Sequence, residues 1–131
     1  MKKILVVEDD EAVRRMIEKL LGSRDRDLRG AGTGRQALLA LRDERPDLIV
    51  LDFFLPDMVA VSFMAQAREI YRGVPVIIVT NFWNMEYAKI AAREGAVAFV
   101  PKPIDPQQLM ETVSYHLSGG DISWAPPSTG T

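Results

Sequence analysis

The chain has 131 residues, 47% of them hydrophobic and 26% charged, which is the size of one domain with matter enough for one core. Its formal net charge of −2 gives no overall pull toward nucleic acid or an anionic membrane surface, against a free-standing DNA-binding module. With no cysteine there are no disulfides, no thiol chemistry and no cysteine-ligated metal, and a single histidine, His116, is too few for a histidine metal cluster.

Met1-Lys2-Lys3 before an apolar run has the look of a signal peptide, but the run stops at Glu8, too soon for one. Residues 4–7 read as a strand. Nothing approaches the roughly 18 apolar residues of a membrane span, so a cytoplasmic protein without a membrane partner is expected. Val13, Met16, Ile17, Leu20 and Leu21 then fall at helical spacing over 11–21. Asp10 is placed as the N-cap of this helix and Gly22 is placed to end it. A second strand belongs near 28–31, although "RDRDLRGAGTG" supports it only by its place in the alternation. A helix over 35–44 follows, then an apolar strand at 48–51 and a helix over 60–71 carrying Phe63, Ala67 and Ile70. The pattern continues with a strand at 76–79, a helix over 85–94, a strand at 98–100 and a helix over 105–117 with Leu109, Val113 and Leu117 on one side. Residues 118–131, which include Trp124, have the composition of a linker or tail.

Five β-α repeats with strands apolar on both faces imply an α/β fold, a doubly wound parallel sheet. In such sheets function gathers at the carboxyl ends of the strands. "GAGTGR" at 30–35 is not a dinucleotide-binding loop, because it follows the weakest strand and lies outside the first β-α turn. The strand ends are chemically informative. The first runs into Glu8-Asp9-Asp10, the third into Asp52, the fourth into Thr80, and the fifth into Lys102 and Pro103. Carboxylates gathered at one edge repel one another, and a divalent cation relieves that; all-oxygen donors with open positions suit Mg²⁺. A lysine and a threonine hydroxyl alongside suit an incoming phosphoryl group, and an aspartate there can act as nucleophile and become an aspartyl-phosphate.

"ILVVEDDE", "PDLIVLDFFLPDM", "PVIIVT" and "EGAVAFVPKP", in this order and spacing, resemble the receiver domain of two-component response regulators over roughly residues 2–117. The resemblance implies a flavodoxin-like (βα)5 fold with strand order 2-1-3-4-5, a receiver domain at 1–117 and a tail at 118–131. It implies Asp52 as phosphoacceptor, Asp9 as a direct Mg²⁺ ligand, Glu8 as a ligand through water, and the Phe54 backbone carbonyl as a further ligand. Lys102 would contact the phosphoryl oxygen and the Lys102-Pro103 bond would be cis. Thr80 and Phe99 would be the switch pair. The implied partner is a sensor histidine kinase or phosphotransfer protein. An output domain or a homodimer would use the face of helix four, strand five and helix five, and no direct nucleic-acid contact is expected. The domain would assist its own phosphorylation without being a turnover enzyme.

The chain departs from the family pattern at Val59-Ala60, where an acid and a glycine are usual, and at Asn81, where a small residue is usual. Phe54 and Phe82 occupy the positions two beyond Asp52 and two beyond Thr80, where they would flank the path of hydrolytic water and slow loss of the phosphoryl group. These departures leave a competing reading, a pseudo-receiver that serves only as an interaction module, with Phe82-Trp83 as an exposed aromatic pair. A phosphatase of the haloacid-dehalogenase type needs a second acid two residues after the nucleophile, where Phe54 stands. His116, beside the apolar face of the last helix, is expected at the surface.

Overall fold

Alternation along each strand sends successive side chains to opposite faces, and the apolar runs have residues for both. The computed structural model describes residues 1–81 and 84–120. Its elements are β1 (Lys2–Val7), α1 (Glu11–Leu21), β2 (Arg26–Ala31), α2 (Gly34–Asp43), β3 (Leu48–Asp52), α3 (Ala60–Ile70), β4 (Val76–Thr80), α4 (Met85–Arg93), β5 (Ala96–Pro101) and α5 (Pro106–Leu117). The strands form one parallel sheet in the order β2-β1-β3-β4-β5. Ile4, Val6, Val50 and Ile77 face α1 and α5, where they meet Ile17, Leu21, Leu109 and Val113. Leu5, Val7, Ile49, Leu51 and Ile78 face α2, α3 and α4, packing with Leu41, Phe63, Met64 and Ala88.

The expected elements are all present, with ends moved by a residue or two. β2 is longer than its sequence suggested, because its backbone pairs with β1 from Lys2↔Arg26 to Val7↔Ala31, although only Leu28 and Ala31 of its residues pack into the cores. Asp10 caps α1, accepting from the Val13 amide at 3.2 Å. Gly22 ends that helix at φ −67°, an ordinary backbone angle rather than the left-handed one glycine usually supplies. Thr33, Asn84 and Asp105 cap α2, α4 and α5, whereas Val59 before α3 makes no side-chain cap bond. No helix among the described residues is long and apolar enough to cross a membrane.

The expectation for His116 is overturned. The side chain is 5% exposed, lining a cavity of about 440 Å³ at the amino ends of the central strands, beside Tyr71, Pro75 and Leu117. It lies seven residues beyond Leu109 and three beyond Val113, the other two buried residues of α5, so helical periodicity turns it inward. Burial lowers the imidazole below its ordinary pKa, against a hydrogen bond to the Gly120 backbone that works the other way. Phe82, Trp83 and residues 121–131, with Trp124, lie outside the described residues.

Candidate functional site

Strand register assembles the polar edge. Val7 pairs with Leu51, Asp52 with Val79, and Thr80 with Pro101, so Glu8, Asp52, Thr80 and Lys102 leave the sheet at neighbouring levels. The Lys102 amide donates to the Thr80 carbonyl at 2.8 Å, which extends the pairing to the residue that carries the ammonium. Glu8, Asp52 and Thr80 are 2%, 9% and 1% exposed, while Asp9 faces solvent. Glu8, Asp9 and Asp52 each present an oxygen within 4.8 Å of the others.

Buried carboxylates need partners, and these have them. Lys102 Nζ donates to Glu8 Oε1 at 2.5 Å and to Asp52 Oδ2 at 3.2 Å. Asp52 Oδ1 accepts the Phe54 amide at 3.3 Å, and Glu8 Oε2 accepts the Asp10 amide at 3.2 Å. Burial pushes the Glu8 carboxyl up to about 7, further than its bonds to Lys102 and Asp10 pull it down. Burial also opposes the Lys102 charge, but the hydrogen bond to Glu8, the charges of Asp52 and Glu8 and the bond to Asp52 outweigh it and raise its pKa. One ammonium among three clustered acids leaves an excess of negative charge. Convergent carboxylate oxygens, one of them on the solvent side, are the donor set that Mg²⁺ takes.

The acids border an open cleft of about 490 Å³ whose other walls include Asn81, Lys102 and Pro103. The Lys102-Pro103 peptide is cis. Phe99 lies within β5, 5% exposed, in the core facing α2, α3 and α4. Phe54 is 37% exposed. Its ring stands edge-on to Phe53 and to Tyr87 of α4, at 5.0 and 5.5 Å between centroids, and Phe53 stacks on Tyr87 at 5.0 Å.

Two contributors escaped the sequence reading. Arg14 donates to the Glu8 carbonyl at 2.7 Å and so braces the β1–α1 turn. Asp57, in the loop after Asp52, takes the first two amides of α2. Arg14 sat on the polar side of a helix with nothing to distinguish it from Arg15. Asp57 has partners more than twenty residues away that no local pattern reveals.

The family model for the response regulator receiver domain matches residues 4–114. The DNA-binding response regulator MtrA of Mycolicibacterium smegmatis is 34% identical over 116 residues, 88% of this chain and 50% of that protein. The regulatory protein LuxO of Vibrio cholerae is 34% identical over 109 residues, 83% of this chain and 24% of its own length. The chain thus spans half or less of these relatives. A CheY-like response regulator receiver domain protein from Methanospirillum hungatei superposes with a TM-score of 0.86 at 28% identity, covering 91% of this chain and 95% of that one. The sheet order, the acidic edge and these matches agree: the chain belongs to the response regulator receiver domain family of two-component signalling.

Proposed function

We propose that this domain is a Mg²⁺-dependent phosphoacceptor switch, phosphorylated on Asp52 by a sensor histidine kinase or a phosphotransfer protein. The observation that carries this reading is the convergence of Glu8, Asp9 and Asp52 around the Lys102 ammonium at one sheet edge. Glu8, Asp9 and the Phe54 carbonyl would hold the cation beside Asp52, and Mg²⁺ there would neutralise charge on the transferring group. An Asp52 carboxylate oxygen attacks phosphorus; the new P–O bond forms as the bond from phosphorus to the donor breaks, and the donor leaves with that electron pair. Lys102 neutralises a phosphoryl oxygen and the Thr80 hydroxyl donates to another. The added charge biases the surface of α4, β5 and α5, with Thr80 and Phe99 as the moving pair. That surface would engage an output domain or a second copy of the chain, in keeping with the response-regulator names of the relatives.

Incubation with Mg²⁺ and acetyl phosphate, followed by intact mass measurement, should show one added phosphoryl group. It should be absent from Asp52→Asn and after chelation, and lost in mild alkali. No adduct on the wild-type chain, with turnover excluded by donor consumption, would leave a phosphorylation-independent interaction module.

The Phe54 ring, held by Phe53 and Tyr87, offers no hydrogen bond to orient an attacking water. The adduct on Phe54→Asn is therefore expected to decay several-fold faster than on wild type, well under the roughly 10²- to 10⁴-fold that a positioned proton-transfer group can supply. Equal decay would reject a gating role for this side chain.

A further inference from the structure

The seven residues between β3 and α3 fold back on themselves. Phe54 and Val59 form an antiparallel bridge, the Leu55 amide donates to the Met58 carbonyl at 3.0 Å, and the Ala60 amide donates to Phe53 at 2.7 Å. Bonds of this kind keep the shape of the hairpin but not its tilt against the sheet. Tilt is set where the loop meets other elements: its base meets α4 through Phe53, Phe54 and Tyr87, and its tip meets α2. Asp57 Oδ1 accepts the Gly34 amide at 2.8 Å and Oδ2 accepts the Arg35 amide at 2.9 Å. Two bonds from one carboxylate fix an orientation as well as a distance.

Helix α2 has a cap of its own. Thr33 Oγ1 accepts the Gln36 amide at 3.0 Å, and Gln36 Oε1 accepts the Gly32 amide at 2.9 Å, which serves the third amide of the helix and leaves the first two, of Gly34 and Arg35, to another acceptor. Asp57 takes the two amides this cap leaves over, so the one contact completes the helix start and seats the loop at the same time. Beside it, Met58 lies against Gly34 so closely that a β-carbon there would overlap the Met58 side chain. Glycine at this helical position is costly for propensity, and here it is what lets the loop seat. Two independent contacts, one polar and one steric, therefore lock the same loop to the same turn of α2.

We propose that Asp57 is a positioning residue for the metal site, clamping the β3–α3 loop onto the start of α2 so that the Phe54 backbone is presented to Mg²⁺ at a set place beside Asp52. The inference rests on the magnesium-site reading above. Phe54 lies three residues before Asp57 in the same hairpin, and its amide already bonds to Asp52, so a change of tilt at the tip is delivered to both.

The test is calorimetric Mg²⁺ titration of the 131-residue chain, with the thermal midpoint of each variant measured in chelator. Asp57→Ala is expected to weaken Mg²⁺ binding about tenfold, the lower end of the range for residues that orient metal ligands. Asp57→Asn, which keeps one acceptor but turns an NH₂ toward the second amide, should fall between the two. Gly34→Ala should weaken binding as well, and Gly34→Ala with Met58→Ala should restore it by vacating the space. A role confined to stability predicts something else: lower midpoints with Mg²⁺ affinity within twofold of wild type in every folded variant, which would overturn the proposal. If Asp57→Ala does not fold, Asp57→Asn and the Gly34 pair decide on the same criterion. Wild-type binding that Asp52→Asn abolishes establishes the metal reading separately. No Mg²⁺ binding by the wild type removes that reading and this inference together.

Discussion

Replacing Lys102 with methionine is expected to slow phosphoryl uptake about 100- to 1,000-fold, the usual consequence of deleting one donor aimed at developing charge. The same change should tighten Mg²⁺ binding in mildly alkaline buffer. The ammonium bonds to Glu8 and Asp52 and is in effect a resident monovalent cation, so a divalent ion entering the cluster works against its repulsion. The two effects have opposite signs, which separates loss of phosphoryl stabilisation from collapse of the site. The gain in Mg²⁺ affinity should vanish toward neutral pH. Burial holds the Glu8 carboxyl at about 7 even with Lys102 beside it; without that bond it rises further and keeps its proton. Initial rates of adduct formation by intact mass, with calorimetric titrations at the two pH values, check both. Uptake at the wild-type rate would remove Lys102 from the reaction.

Phe63→Ala is expected to cost about 3–5 kcal/mol of folding stability, a large part of the 5–15 kcal/mol typical of a domain. Phe63 is wholly buried in the core that α2, α3 and α4 share, and the helix that carries it has little local support. Val59 provides no side-chain cap and no acidic residue stands in the first turn, so α3 depends on what it buries. Urea denaturation should show a lower midpoint with an unchanged slope. A loss below about 1 kcal/mol would mean that the neighbours close over the space and leave no cavity.

Legibility tracked the number of faces each residue had to satisfy. β3 and β4 are buried on both sides, so their apolar runs announced them, and the carboxylate and hydroxyl that end them stood out by contrast. The candidate site was legible because a parallel sheet brings strand ends to one edge whatever their separation in sequence. β2 was visible only as a gap in a rhythm, since a strand paired on one side does not need an apolar pattern. His116 was misplaced because its chemistry was weighed above its position: the spacing from Leu109 already pointed inward, and a neutral imidazole tolerates burial where a charged group does not. Asp57 was hidden for another reason. It was read as one letter of a loop motif, and its partners on Gly34 and Arg35 exist only once α2 and the loop have packed.

The poor strand has a use. Parallel sheets of this kind leave two open borders, and an unpaired row of amides and carbonyls invites a strand from a neighbouring molecule. On one border stands β2, where Arg29 pairs with Asp43 and Arg26 reaches Ser114. The last residue of β5 on the other border is Pro101, which has no amide to offer. Charge on one side and a missing donor on the other discourage the sheet from growing beyond its own chain. The residues that made β2 hard to recognise are thus the ones that make its border a poor template for a strand from another copy.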